Sequence, residues 1–365
     1  MILKSGYLTV DMVITMIISN ESISEKIAIN LKGEGESMSL LSDGIIIRGK
    51  KIKNRIVMPP MVCFSFRGDN GGTYGKQHIE HYTQRAKGGA GLIIIQATAV
   101  FGAAKELGVW SGEQMKPLEI IAENCHNYDA AVMIQLHCGD QNINALSADQ
   151  IRDMQADCIA AAVRGKQAGF DGVEYHFAHG YTLCKFLDPV FNQRSDNYGG
   201  TLENRLRIFT EILPQIRQSV GVDFIISVRM GGNIPDTTGA IDVAKAFEAA
   251  GVDLLHISSG MERPAGEVPA GFNGSMIAYN GSEIKKKVNI PVITVSEIFT
   301  ATTAKFLIEN NYVDLVAIGR GMLADENWAN NVLTGKTVNQ CRNCGRGNVG
   351  NCSWFVDHTQ CPARI

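Results

Sequence analysis

From residue 56 onward, short apolar runs rich in β-branched residues alternate with longer stretches whose apolar positions recur every three to four residues. The runs are Ile56–Met58, Leu92–Thr98, Ala131–Leu136, Gly172–Tyr175, Phe224–Val228, Leu254–Ile257, Val292–Val295 and Leu315–Ile318. Nearly unbroken apolar character over so short a span marks a strand covered on both faces, as in a parallel sheet. The stretches between them read as amphipathic helices. Ile151–Ala168 places Met154, Cys158, Ala161, Ala162 and Gly165 at helical spacing, and Leu202–Val220, Ile241–Ala250 and Thr302–Glu309 follow the same period. Two stretches close on Ala-Gly before the next strand, at Gly169 and Gly251, where glycine suits a helix C-terminus.

Eight strand–helix units in about 270 residues match a (β/α)8 barrel in number and size. A doubly wound sheet would want a glycine-rich first turn; here that turn reads MPPMVCF. The expected fold class is therefore α/β, a (β/α)8 TIM barrel over residues 38–335, with a cysteine-rich extension at 336–365. Residues 1–37 have no clear period, and Leu31–Met38 reads as a linker. They are expected to be a disordered leader or an over-extended start, with an ordered appendage as the alternative.

Composition narrows the function classes. The chain has 365 residues, 45% hydrophobic and 19% charged, enough for one large α/β domain. A net charge of −3 gives no electrostatic reason to expect nucleic acid or an anionic membrane. The early apolar run Tyr7–Ser19 contains Asp11 and is shorter than the roughly 20 residues that span a bilayer. It also lacks a clear signal-peptide cleavage pattern, so a cytoplasmic location is expected.

In such a barrel the chemistry sits at the C-terminal ends of the strands. Pro59, Pro60, Met61, Val62 and Cys63 follow the first strand, and Ala97 follows the second. The third gives Gln135, His137 and Cys138; the fourth, His176, His179 and Tyr181; the fifth ends in Arg229. Ser258, Ser259 and Gly260 follow the sixth, Ser296 the seventh, and Gly319 and Arg320 the eighth. Polar side chains from six strands thus converge on one mouth. The loops after strands seven and eight, VSEIF (295–299) and AIGRG (317–321), offer backbone N–H groups, a hydroxyl and a guanidinium. Those groups suit a phosphate monoester.

RIVMPPM (55–61), IIIQATAV (93–100), GFDGVEYHFAHGYTLCKFLDP (169–189), FNQRSDNYGGTLENRLR (191–207), SVRM (227–230) and VDLVAIGRGMLADENW (313–328) together resemble the Old Yellow Enzyme family. These are FMN-dependent NAD(P)H:flavin oxidoreductases and ene-reductases. The resemblance implies FMN as cofactor, NAD(P)H as donor and an unsaturated carbonyl compound as substrate. It places Pro59, Pro60, Met61, Val62 and Ala97 against the flavin through backbone groups, and Gln135 on its pyrimidine edge. Arg229 would lie near N1 and O2, with Ser296, Gly319 and Arg320 at the phosphate. His176 and His179 would donate hydrogen bonds to the substrate oxygen, and Tyr181 would protonate the carbon next to it. Hydride addition builds negative charge on that oxygen, and each aimed donor lowers the barrier by about 3 kcal/mol at most. The competing reading of the two histidines as half a metal site has only Asp171 and Glu174 as near carboxylates, and Glu174 lies within the strand. Arg194, Asp196 and Arg205 read as holding the loop after strand four.

The chain departs from the family's pattern at named positions. Val62 stands where one branch has a redox-sensitive cysteine, with Cys63 one place later. Phe64 replaces that branch's tyrosine, a substrate contact. QLHCGDQ (135–141) lacks the arginine of the usual QLxHxGR. Ser296 and Glu297 replace a glycine pair, and a glutamate beside a phosphate is unfavourable unless its side chain turns away.

Four of the nine cysteines, Cys341, Cys344, Cys352 and Cys361, crowd the last 25 residues as C-x2-C-x7-C-x8-C. In a chain without an export signal this reads as metal binding before disulfides. A [4Fe–4S] cluster, a structural zinc and unmetallated thiols are the three readings. The 2,4-dienoyl-CoA reductase branch has a four-cysteine [4Fe–4S] site after its barrel, at different spacing, and then a second flavin- and NADH-binding domain. A cluster here would need an electron-donor protein or be structural. A homo-oligomer is a further candidate assembly. The alternative functions are a flavin barrel fed electrons by a partner protein, and a non-flavin lyase or isomerase acting on a phosphorylated substrate, which would want a catalytic lysine that no strand end carries.

Overall fold

The computed structural model describes residues 40–66, 72–102, 106–344 and 352–364. The leader expected at 1–37 lies outside the described residues. The chain opens with an antiparallel hairpin, β1 (Ile45–Ile47) and β2 (Lys50–Ile52). It turns through Arg48 and Gly49, whose φ values of 50° and 76° are both left-handed. Then come β3 (Ile56–Met58), α1 (Lys76–Lys87), β4 (Leu92–Ala99), α2 (Met115–His126), β5 (Ala131–His137), α3 (Ala148–Gln167) and β6 (Gly172–Phe177). Next follow α4 (Thr182–Leu187), α5 (Leu202–Thr210), α6 (Leu213–Val220), β7 (Ile225–Gly231), α7 (Thr237–Ala250) and β8 (Leu254–Ser258). The described chain ends with α8 (Met276–Lys285), β9 (Val292–Thr294), α9 (Ala301–Glu309), β10 (Leu315–Ala317), α10 (Arg320–Ala324), α11 (Trp328–Leu333) and α12 (Ser353–Val356). Strands β3 to β10 close into one parallel barrel, with β10 paired to β3. All eight apolar runs are barrel strands, and the expected fold class stands.

Side-chain alternation sorts each strand into two cores. Leu92, Ile94, Ala131, Met133, Ile225, Leu254, Ile293 and Leu315 form the barrel interior, joined by Ile47 and Ile52 of the hairpin. Their neighbours in sequence, among them Ile93, Val132, Val173, Ile226, Leu255 and Val316, pack against the helices instead. The hairpin was not foreseen. Its strands, III and KKI, are too short to show a period, yet Ile52 is completely buried.

Local chemistry explains the helix ends. Ser147 caps α3 by accepting from the Gln150 N–H, while the Gln150 side chain accepts from the Ser147 N–H at 2.8 Å, a capping box. Gly169 and Gly251 take the left-handed φ values, 89° and 101°, expected after a helix. The single helix expected over Leu202–Val220 is two, α5 and α6. Pro214 opens the second, and proline cannot supply the N–H that a continuous helix would need there. No helix among the described residues is long and apolar enough to cross a membrane.

The cysteine-rich segment folds back onto the barrel. Cys352, Trp354, Phe355 and Cys361 share an apolar cluster with Cys63, Leu323 and Ala324. The Phe66 ring meets Trp354 edge-on at 5.6 Å and His358 at 4.9 Å. In the core between barrel and helices, Phe209 is 1% exposed and lies 5.3 Å from Phe177 and 4.7 Å from Tyr175. Phe209→Ala is expected to cost about 3–5 kcal/mol, read as a lower urea midpoint with an unchanged slope.

Candidate active site

A cavity of about 1070 Å³ opens at the C-terminal ends of the barrel strands. Pro59, Pro60, Met61, Val62, Phe64, Ala97, Gln135, His176, His179, Tyr181, Arg229, Ser296, Gly319 and Arg320 all line it. One feature of their placement differs from expectation. β6 and β7 run further than their apolar runs, so His176 and Arg229 sit within paired strands, in register with each other. Rigid sheet, rather than loop, therefore holds both groups.

The two histidines bond to one another. His176 Nε2 and His179 Nδ1 are 2.9 Å apart, and His179 Nε2 lies 2.7 Å from Ser258 Oγ. His179 takes a left-handed φ of 62° and donates its backbone N–H to Ser259 O at 3.1 Å. Burial, reinforced by His179 and by Arg229, holds His176 well below the usual histidine range, and burial with Arg229 does the same for His179. The pair is therefore neutral, and one ring N–H is shared within the chain His176–His179–Ser258. Tyr181 is 44% exposed at the mouth, its ring 5.4 Å from that of His176.

Below this layer is a buried polar belt. Gln135 Nε2 donates to Glu174 Oε1 at 2.7 Å, and His256 Nδ1 lies 2.9 Å from Glu174 Oε2. A carboxylate only accepts. Gln135 must therefore turn its NH2 group to Glu174, which leaves the amide oxygen as its acceptor for the cavity. By the same logic His256 carries its proton on Nδ1. Arg229 is fully enclosed and loosely held, donating to Pro60 O and Ser258 Oγ at 3.4 Å each, while its Nε meets no partner among the described residues. Burial lowers it to about 10, with Glu174 opposing, so it is a cation at neutral pH. Glu174 and His256 were not singled out as a network from the sequence. The available signal was an acid and a base at inward positions of otherwise apolar strands.

The loops after β9 and β10 form another part of the lining. Ser296 and Glu297 adopt left-handed φ values of 89° and 60°, at a cost of order 1–3 kcal/mol each. Arg263, from the loop after β8, donates to Ser296 Oγ at 3.1 Å and lies 3.8 Å from Glu297 Oε1. The glutamate is thus paired with a guanidinium, which offsets the repulsion its position implied. At Gly319 a Cβ would come within 3.2 Å of Met61 Sδ, so only glycine fits without a shift. On the flank, the Phe64 ring stands 6.1 Å from Phe355 of the tail. Cys63 offers no exposed thiol. It is buried, its thiol is pushed up to about 12 by burial, and its N–H donates to Gln96 Oε1 at 3.0 Å. Arg194 and Arg205 hold the loop after β6, as expected, through the carbonyls of Leu146 at 2.8 Å and Leu187 at 2.9 Å.

The metal reading of the tail is not shown. Among the described residues no three or more His, Cys, Asp or Glu side chains are grouped to hold a metal ion, Cys341, Cys344, Cys352 and Cys361 included. Cys352 and Cys361 are buried in the apolar cluster, whereas Cys344 is exposed.

The buried histidines make stability pH-dependent. His81, His176 and His179 are all held well below 6.5, first by burial. Unfolded histidines take up protons as pH falls through about 6.5, while these stay neutral in the fold. Their contribution is complete above that value and is lost progressively below it. The melting temperature is expected to fall from pH 6.5 to 5, and less steeply in His176→Asn, measured by thermal unfolding.

The family model described as NADH:flavin oxidoreductase / NADH oxidase family matches residues 43–145 and 138–339. Relatives include an NADH oxidase of Thermoanaerobacter brockii, 35% identical, covering 82% of this chain and 52% of its own. An NADPH dehydrogenase of Halalkalibacterium halodurans is 32% identical, covering 79% of this chain and 92% of its own. The chain therefore spans about half the length of the first relative and nearly all of the second. Two solved structures share the fold. One is an old yellow enzyme homologue from Zymomonas mobilis, at 22% identity and TM-score 0.70, covering 83% of this chain and 95% of its own. The other is a 2-naphthoyl-CoA reductase in complex with 2-naphthoyl-CoA, at 23% identity and TM-score 0.77, covering 88% of this chain and 56% of its own. On the breadth of the family match and the identity to these relatives, the chain belongs to the NADH:flavin oxidoreductase / NADH oxidase family, that of the Old Yellow Enzymes.

Proposed function

We propose that the protein is an FMN-dependent oxidoreductase that reduces an activated C=C bond, with NAD(P)H as the ultimate donor. The observation that carries the reading is the convergence of His176, His179 and Tyr181 with Gln135 and Arg229 on one cavity. The donor set fits the cofactor. Gln135 offers an acceptor and Arg229 offers donors, one of them unpartnered, a pattern complementary to an imide edge. Ser296, Gly319 and Arg320 supply a hydroxyl, a close backbone approach and a guanidinium for a phosphate. FMN, when bound, supplies the hydride.

The remaining work falls to the chain's own residues. Arg229, cationic and desolvated, stabilises negative charge that develops beside it. A substrate oxygen lodged between His176 and His179 takes over the ring N–H that the two now share. Neutral histidines suit this, because they donate without first placing a charge in a buried site. Tyr181, at the open side of the pair, is placed to deliver a proton from its hydroxyl. Phe64 and Phe355 stand on the flank of the cavity.

The test is purification followed by FMN addition, with reduction of a simple cyclic enone by NADPH or NADH as the assay. Flavin absorbance should appear, and Tyr181→Phe should lower turnover by roughly 10²-fold or more with flavin content unchanged. A protein that stays colourless in excess FMN, or a Tyr181→Phe variant as fast as the parent, would contradict the reading.

A further inference from the structure

Besides placing Phe355 in the cavity wall, the cysteine-rich tail touches a second lining residue, Arg320. Asn343 lies between Cys341 and Cys344 with a left-handed φ of 50°. Its backbone N–H donates to Cys341 Sγ at 3.4 Å. Its side-chain oxygen Oδ1 accepts from Arg320 Nη1. The Arg320 guanidinium also rests over the Phe299 ring, 4.9 Å from its centroid. Among the described residues Arg320 has no carboxylate within ion-pair distance and no hydrogen-bond acceptor other than Asn343. A long cationic side chain that lines the cavity is thus held in one place by a neutral amide and an aromatic face.

That arrangement leaves the other guanidinium N–H groups available to a ligand. It also removes the cost of ordering a flexible arginine at the moment of binding. A neutral amide oxygen is a weaker acceptor than an anionic phosphate oxygen, so Asn343 orients Arg320 without outcompeting such a ligand. Among the described residues no other side-chain or backbone oxygen accepts from Arg320.

We propose that Asn343 is a positioning residue that holds Arg320 ready for the phosphate group of FMN, making the cysteine-rich tail part of the cofactor site. The inference rests on the flavin reading above. It joins the tail's sulfur chemistry to the cavity through one short path, Cys341 Sγ to the Asn343 backbone to its side chain to Arg320.

The test is titration of the full chain with FMN and with riboflavin, which lacks the phosphate, followed by flavin fluorescence. Asn343→Gly removes the amide yet tolerates the left-handed backbone. It should raise the FMN dissociation constant about tenfold, with riboflavin changed by less than about twofold. Asn343→Asp keeps the oxygen but adds a charge that pairs with Arg320 and repels phosphate, so it should weaken FMN further and again spare riboflavin. Equal weakening of both flavins, or no change in FMN affinity, would overturn the inference while leaving the flavin reading intact. A parent protein that binds neither flavin would overturn both.

Discussion

Closing eight parallel strands on themselves forces every second residue into a space that opens only at its ends. The rest of the molecule depends on how that space is filled. Its floor is apolar, with Ala131, Met133, Ile225 and Leu254 sealed from below by Ile47 and Ile52. One step higher the filling becomes polar, with Gln135, Glu174, Ser227 and His256 all nearly or wholly without solvent contact. Burying such groups is costly unless each finds a partner. The Gln135–Glu174–His256 chain satisfies most of them and in doing so fixes which way an amide and an imidazole face. The orientation at the cavity floor is thus a by-product of solvation economics inside a closed barrel.

Above that belt the balance of charge is narrow. Arg229 brings a desolvated positive charge, and Glu174 in the layer beneath is the opposing one. His176 and His179 stay neutral because burial and the same guanidinium disfavour a further positive charge. A site with one enclosed cation and neutral donors around it is prepared for incoming negative charge, and its polarity is set before any ligand arrives.

Much of this was legible in the sequence. Unbroken apolar runs located all eight strands, because strands covered on both faces cannot alternate with polar residues. The residues lining the mouth were legible too, since polar side chains at the ends of such runs have few structural reasons to be there. Strand ends were less so: Phe177 and Gly231 extend β6 and β7 past the points where the runs stop, because His176 and Arg229 interrupt them. The break at Pro214 was overlooked because the apolar period carries across it. Glu174 and His256 form their network from two strands 82 positions apart, and no local pattern encodes such a pairing. The tail is the least legible part: cysteine spacing suggests metal, and the fold shows only that Cys352 and Cys361 pack beside Trp354.

The tail's return to the mouth has a consequence for how the chain is made. The loop after the first barrel strand finds its covering residues, Trp354 and His358, almost three hundred positions later. At roughly 5–20 residues per second a ribosome needs a few tens of seconds to bridge that interval. Throughout it, Phe64 and Phe66 follow a strand, β3, whose barrel neighbour β10 does not yet exist. A nascent chain therefore leaves Phe66 without these ring partners until residues 354–358 emerge, a natural place for a chaperone to hold.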